Sequence, residues 1–322
     1  MKFLVIGASG CIGNALIEFL LENKLEVKAL IHETPISQKN IEFFKGDINE
    51  PSTLLPAMKD IDVVYHLAFP MTQLAYSLPY KDLFYLQCKA TENIIKSAIS
   101  SGVKRIVYVS SVSVYGNPKY FPIDENHPTN PKNYYALTKL ETEKILKNYS
   151  NEIETVILRA APVYGPKSKI FYKLLEEIEK GKLGIIGDGN KKTHLLGVKN
   201  CALALYLSGI KQNINNEIFN IADLEPIKFN ELYKLIIDYL NIKEIKKIPY
   251  WKAYLFALFS EFYSSISGKS AKFSKAFLET LTRERIYSIE KAKNILGYIP
   301  RVSIEEGIKE MIKAYKLEKQ IR

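Results

Sequence analysis

Short runs of apolar, largely β-branched residues recur through the first half of the chain at residues 3–6, 27–31, 41–44, 63–67, 106–109 and 156–158. Runs of this length, nearly continuous in apolar character, are the pattern of strands buried on both faces of a parallel sheet. Between them, residues 14–21, 83–100 and 135–148 carry apolar side chains at three- and four-residue intervals, the spacing of helices with one buried face. Strand and helix alternate, which predicts six buried strands in one sheet covered by helices on both faces. After Gly165-Pro166 the rhythm changes to a lysine-rich helix over 170–180, a glycine-punctuated loop over 181–189 and further helices, with a stop signal at Gly297-Tyr298-Ile299-Pro300. A second, smaller and mainly helical lobe is expected there.

Composition narrows the class without choosing a function. The 322 residues are 47% hydrophobic and 25% charged, a balance that excludes a disordered or collagen-like chain and allows one large or two medium domains. Cys11, Cys88 and Cys201 form no CxxC pair, and the four histidines are scattered. That argues for a reducing compartment, the cytoplasm, and for no metal site. Met1 runs straight into the first strand without a secretory leader, and the most apolar later stretch, 254–259, is too short to span a bilayer. The net charge of +10 suits an anionic ligand, yet no nucleic-acid motif accompanies it.

Three groups of residues carry chemistry. Gly7, Gly10 and Gly13 form a GxxGxxG between a strand and a helix, where glycines permit a tight turn and close backbone approach, and a helix N-terminus attracts phosphate. The second strand ends Leu30-Ile31-His32-Glu33, so the carboxylate that normally selects NAD is missing and a histidine follows. This points to NADP, with NAD as the alternative. Tyr135 and Lys139 lie four apart on a helix and project from one face. A neighbouring ammonium lowers the pKa of a phenol, which otherwise sits near 10. Ser110-Ser111-Val112-Ser113 closes the fifth strand, putting hydroxyls at the carboxyl edge of the sheet.

Together these residues resemble the extended short-chain dehydrogenase/reductase family, within the NAD-dependent epimerase/dehydratase superfamily. Further matches are Gly46-Asp47-Ile48, His66-Leu67-Ala68, Val114-Tyr115-Gly116, Arg159, Val163-Tyr164-Gly165-Pro166, Asn220-Ile221-Ala222-Asp223 and Leu296-Gly297-Tyr298. The resemblance implies an α/β fold: a Rossmann doubly wound parallel sheet with a smaller, mainly helical C-terminal substrate lobe. The dinucleotide domain would be residues 1–166, with 190–222 returning to it, and the substrate lobe 167–189 and 223–322. Cofactor contacts are implied at Gly7, Ser9, Gly10, Cys11, Ile12, Gly13, His32, Asp47, Ile48, Leu67, Ala68, Phe69, Tyr135, Lys139, Pro162 and Val163. Ser111 would hold the substrate oxygen, Tyr135 would be the acid/base and Lys139 its helper. Relatives of this kind pair through the tyrosine helix, so a homodimer is expected.

Departures from the family pattern indicate the branch. Val112 and Ser113 stand where sugar-nucleotide dehydratases carry Asp-Glu, so elimination of water is disfavoured. Pro162 replaces an asparagine of the sugar-nucleotide epimerases, and Thr193-His194-Leu195-Leu196 replaces their arginine-containing string. The spacing of Val198 and Asn200 is similar to the 3β-hydroxysteroid dehydrogenase and dihydroflavonol reductase branch. The expectation is interconversion of a secondary alcohol and a ketone on a small, apolar substrate, with nucleotide-sugar 4-epimerisation on tightly bound NAD as the alternative. Trp251, Tyr254, Phe256, Phe259, Phe262, Tyr263 and Phe273 are expected to build the core of the C-terminal lobe, since apolar helix faces normally pack inward. An exposed part of the segment would suit contact with a membrane surface.

Overall fold

The computed structural model of the chain describes residues 1–34, 36, 38, 41–69, 79–243, 245–267 and 273–321. It begins β1 (Lys2–Ile6), α1 (Cys11–Glu22), β2 (Glu26–Ile31), β3 (Glu42–Lys45), α2 (Pro51–Met58), β4 (Val63–His66) and α3 (Tyr80–Phe84). A π-helical turn (Tyr85–Lys89) leads to α4 (Ala90–Ser100), β5 (Arg105–Ser111), a 3-10 turn (Val112–Tyr115), α5 (Tyr134–Asn148) and β6 (Glu154–Ala160). The longer elements that follow are α6 (Lys169–Glu179), α7 (Val198–Ile210), β7 (Glu217–Ile221), α8 (Phe229–Leu240), α9 (Tyr250–Ser267), α10 (Lys275–Thr282) and α11 (Ile304–Ile321).

Seven parallel strands form one sheet in the order β7-β6-β5-β4-β1-β2-β3. The order reverses at β1, where Ile6 lies opposite Leu30 of β2 on one side and His66 of β4 on the other. The segments leaving β1 and β4 therefore part there and open a crevice at the carboxyl ends of the strands. Alternation along β1 sends Phe3 and Val5 into a core with Leu16, Ile17, Leu20, Leu203 and Leu205, and Leu4 and Ile6 into one with Leu54, Ile94, Ile95 and Leu146. Each such buried side chain contributes about 1.5–3 kcal/mol, so both faces anchor the sheet and the strand ends held on it.

Two details differ from the sequence pattern. The sheet has a seventh strand, β7, which Asn220 disguises by interrupting an apolar run; its side chain is buried and hydrogen-bonded. The third strand is an edge strand with Glu42 and Phe43 exposed, because among the described residues only β2 pairs with it.

The chain divides into two compact units, one of Met1–Val163, Leu196–Leu224 and Tyr287–Ser303, the other of Tyr164–Leu195, Glu225–Ile286 and Ile304–Arg322. Residues 287–303, expected in the substrate lobe, join the first unit, where Tyr298 donates to the Ala222 carbonyl at 3.0 Å and Lys291 pairs with Glu217 at 2.7 Å. The second unit is built on α6, α8 and α11 around Leu175, Ile178, Ile236, Ile308 and Met311.

Candidate active site

The first turn is shaped by what its glycines must avoid. Gly7 has φ +90°, and a Cβ there would lie 2.7 Å from the Ala68 backbone nitrogen; one at Gly13 would lie 2.3 Å from the Gly7 carbonyl oxygen. Gly10 is different. It is exposed, and a Cβ on it would meet just the Gly7 oxygen, at 3.3 Å. Gly7 and Gly13 are thus glycine for the fold, while Gly10 keeps an approach to the start of α1 open. Asn14 locks the turn by donating to the Ala8 and Gly10 carbonyls at 3.1 and 2.9 Å. Ser9, Cys11 and Ile12 are half-buried along it, and α1 starts with no side-chain cap and no acidic residue in its first turn.

The neighbouring strand ends hold the next group. His32 follows β2, exposed, with its Nε2 3.7 Å from Asp47 Oδ2. Asp47 is fixed in its turn: its Oδ1 accepts from the Asn49 backbone N–H and side chain, both at 2.9 Å, and its own N–H donates to Thr53 Oγ1 at 3.0 Å. Asn93 Nδ2 donates to the Ile48 carbonyl at 3.1 Å. Leu67, Ala68 and Phe69 continue β4, half-buried, with the Leu67 N–H bonded to Ile6 O at 2.9 Å. Pro162 and Val163 are half-buried after β6, and Pro162 O accepts from the Leu196 N–H at 3.0 Å.

Helix α5 brings Tyr135 and Lys139 together. Asn133 caps it, its side chain accepting from the Ala136 N–H at 2.8 Å, so the first turn that carries Tyr135 is fixed. Lys139 is buried; its Nζ donates to the Val109 carbonyl at 2.8 Å and lies 4.5, 4.7 and 6.0 Å from the ring centres of Phe69, Tyr108 and Tyr135. Burial pushes its pKa down to about 7, against the pull of Glu143 one turn later, which favours the ammonium. Phe69 meets Tyr135 edge to face at 5.2 Å. Ser111 ends β5, its Oγ accepting from the Ser113 N–H at 3.2 Å, which leaves its own proton to be donated elsewhere. Ser113 Oγ is buried and without a hydrogen bond among the described residues.

Behind this group lies a polar network that the sequence alone did not disclose. Glu143 and Arg159 are both buried and joined by two hydrogen bonds of 3.1 and 2.7 Å, and Ser110 Oγ donates to Glu143 Oε1 at 2.5 Å. Arg159 also lies 4.9 Å over the Tyr115 ring, whose hydroxyl donates to Asn220 at 2.6 Å. Burial opposes the guanidinium charge, yet Glu143 holds the Arg159 pKa above its ordinary value. A four-residue step from Lys139 to Glu143 was the available signal. His66 belongs to the neighbouring core: burial pushes its pKa down to about 3, and its Nε2 meets Thr91 Oγ1 at 2.9 Å. Burial therefore favours its neutral form.

These residues fit a dinucleotide. The uncapped N-terminus of α1, the open approach at Gly10 and the buried ammonium of Lys139 provide for phosphates, backbone contact and a ribose hydroxyl in one row along the strand ends.

The chain is similar to known proteins along nearly its whole length. A curated relative 28% identical is the decarboxylating sterol-4-alpha-carboxylate 3-dehydrogenase of Mus musculus, aligned over 98% of this chain and 91% of its own. Another, 26% identical over 95% and 92%, is the N-acetyl-alpha-D-glucosaminyl-diphospho-ditrans,octacis-undecaprenol 4-epimerase of Escherichia coli. Among solved structures, the UDP-glucuronic acid 4-epimerase of Bacillus cereus in complex with UDP-glucuronic acid and NAD superposes with TM-score 0.78 at 25% identity, covering 99% of this chain and 100% of that one. The UDP-glucose 4-epimerase of Thermotoga maritima shares the fold with TM-score 0.79 at 24% identity, with 100% of both chains covered. The profile of the NAD dependent epimerase/dehydratase family matches residues 3–222, from β1 through β7 and every residue of the group around Tyr135 and Lys139, and the chain belongs to that family.

Proposed function

We propose that the chain is a nicotinamide-dinucleotide-dependent oxidoreductase that interconverts a secondary alcohol and a ketone on an apolar small molecule of sterol, isoprenoid or flavonoid type. The observation that carries this reading is the buried Lys139 ammonium, 6.0 Å from the Tyr135 ring and held between Phe69 and Tyr108. A cation so placed favours the phenolate of Tyr135, the form that accepts the substrate proton. In the oxidative direction Tyr135 takes the proton of the substrate hydroxyl while Ser111 donates to the same oxygen; in reduction Tyr135 returns the proton and Ser111 donates to the carbonyl oxygen. The bound dinucleotide supplies the two-electron acceptor or donor for the hydrogen on the carbinol carbon. Lys139 hydrogen-bonds the nicotinamide ribose, and Gly10, Cys11 and Ile12 at the start of α1 hold the phosphates.

The substrate class is supported by the sterol and the polyprenol in the names of the two curated relatives described above, and Val112 and Ser113, which provide no acid to expel water, disfavour dehydration. For the dinucleotide we propose NADP, supported by Ile31 in place of a ribose-binding carboxylate and by the exposed His32 beside it. Steady-state kinetics with both dinucleotides test this, and a large preference for NAD overturns it.

The second reading, nucleotide-sugar 4-epimerisation, is favoured by the likeness to the UDP-glucuronic acid 4-epimerase of Bacillus cereus. Epimerisation returns the hydrogen to the other face of the same carbon, so it consumes no added dinucleotide. Assay of the purified protein decides: turnover that requires added dinucleotide and yields a ketone supports the dehydrogenase, whereas tightly retained NAD with activity in its absence supports the epimerase. A thermal-shift screen adds a second readout, since stabilisation by UDP or a UDP-sugar favours the epimerase. A homodimer is the assembly proposed for either, and light scattering tests it.

A further inference from the structure

Helix α9 is packed the wrong way round for a soluble helix. Ala253 and Ala257 face inward against Leu278 of α10 and Ile186. Ser260 accepts from the Phe273 N–H at 3.1 Å, and Glu261 accepts from the Lys275 N–H at 2.8 Å, so small and polar side chains make the contact. The opposite face carries Trp251, Leu255, Phe259, Phe262 and Ile266 at helical spacing, with Phe259 at 72%, Ile266 at 70% and Phe262 at 66% exposed. Tyr250, Tyr254, Phe256 and Tyr263 widen the patch, and all are exposed. Of the aromatics expected to build the lobe core, Phe273 packs against this cluster, whereas those of α9 are exposed, because the helix packs through its small residues instead.

The charge around this face identifies what it meets. Residues 243–275 contain Lys243, Lys246, Lys247, Lys252, Lys269, Lys272 and Lys275 against two acids, Glu244 and Glu261. Glu261 is already paired with Lys275 at 3.4 Å. Lys246, Lys247 and Lys252, all exposed at the N-terminal end of the aromatic stripe, match an anionic lipid surface, with the rings at headgroup depth and the ammonium groups on the phosphates. A second copy of the chain would instead bring like charge against like charge. Among the described residues no helix is long and apolar enough to cross a membrane, so the contact is one of lying on it. We propose that α9 docks the chain on an anionic membrane surface, with the stripe from Trp251 to Ile266 lying in the interface.

Trp251 is the single tryptophan of the chain and sits in the stripe, so it reports directly. The full chain is mixed with vesicles of phosphatidylcholine alone or of phosphatidylcholine with phosphatidylglycerol. Expected are co-flotation with the anionic vesicles, a blue shift of Trp251 emission, and quenching by lipids brominated in their acyl chains. Phe259→Ser with Phe262→Ser should lower partitioning by about tenfold or more while dinucleotide-dependent melting stays unchanged. Lys246→Gln with Lys247→Gln should lower it by roughly fivefold per lysine. Unchanged emission with anionic vesicles overturns the proposal. So does a lipid-free blue shift that grows with protein concentration alongside dimers in sedimentation, since a second copy would then cover the stripe.

Discussion

In α5 an ammonium and a carboxylate, Lys139 and Glu143, are withdrawn from water, whereas in α9 five large apolar side chains from Trp251 to Ile266 are held in it. Both arrangements oppose the ordinary partition of polar and apolar groups. In α5 the compensation is internal: Val109 O and the faces of Phe69 and Tyr108 receive Lys139, and Arg159 with Ser110 receives Glu143. Glu143 keeps its charge with all its partners in place, whereas burial makes the Lys139 ammonium easier to deprotonate, its pKa pushed down to about 7. In α9 the inner face is satisfied by small residues, and exposed Lys246, Lys247 and Lys252 stand at the N-terminal end of the outer face. The first region reads as a catalytic group and the second as a surface for an external phase, because in one the cost is met inside the fold and in the other outside it.

The largest expected stability effect is in the α5 network. Glu143→Leu leaves the Arg159 guanidinium buried without its carboxylate and should cost about 3–5 kcal/mol, measured by denaturant midpoint. Adding Arg159→Met should recover most of that, because the remaining site is then apolar. If the double variant is as unstable as the single one, the compensation lies elsewhere.

Gly13→Ala should cost about 1–3 kcal/mol, since its Cβ would collide with the Gly7 carbonyl. Gly10→Ala should leave the melting temperature nearly unchanged and lower dinucleotide affinity, measured by titration. Equal effects of the two on stability would remove the distinction between fold glycines and an approach glycine.

The pH dependence of Lys139 is next in size. Its pKa in the folded chain, about 7, lies below the ordinary value of 10.5, so between these limits the unfolded chain holds a proton that the folded chain lacks. Stability should therefore rise with pH across that window, relative to Lys139→Met, by up to a few kcal/mol. Denaturant midpoints of both proteins across this range check it, and a falling difference contradicts the burial of the charge. The smallest effect belongs to α9: Phe259→Ser should change stability by no more than about 0.5 kcal/mol, for the ring touches no core.

Much of this was readable before any coordinates. Short continuous apolar runs marked β1, β2, β4, β5 and β6, the spacing of Gly7, Gly10 and Gly13 marked the first turn, and the four-residue step put Tyr135 beside Lys139. These are local signals. What stayed hidden depends on distant pairing: Glu143 finds Arg159 across a strand, and Asn220 is tolerated in β7 because Tyr115, Glu125 and Ile123 bond it. The orientation of α9 was hidden for another reason. Its sequence offers both an aromatic face and an Ala253/Ala257 stripe, and periodicity alone does not say which one packs.

The most direct test of the site is Tyr135→Phe, assayed with the best secondary alcohol from a panel of sterols, prenols and flavonoid alcohols and with dinucleotide affinity measured beside it. Loss of the phenol proton acceptor should lower turnover by about two to four powers of ten while dinucleotide binding is kept. Full turnover in that variant would contradict the role assigned to Tyr135 and the oxidoreductase reading built on it.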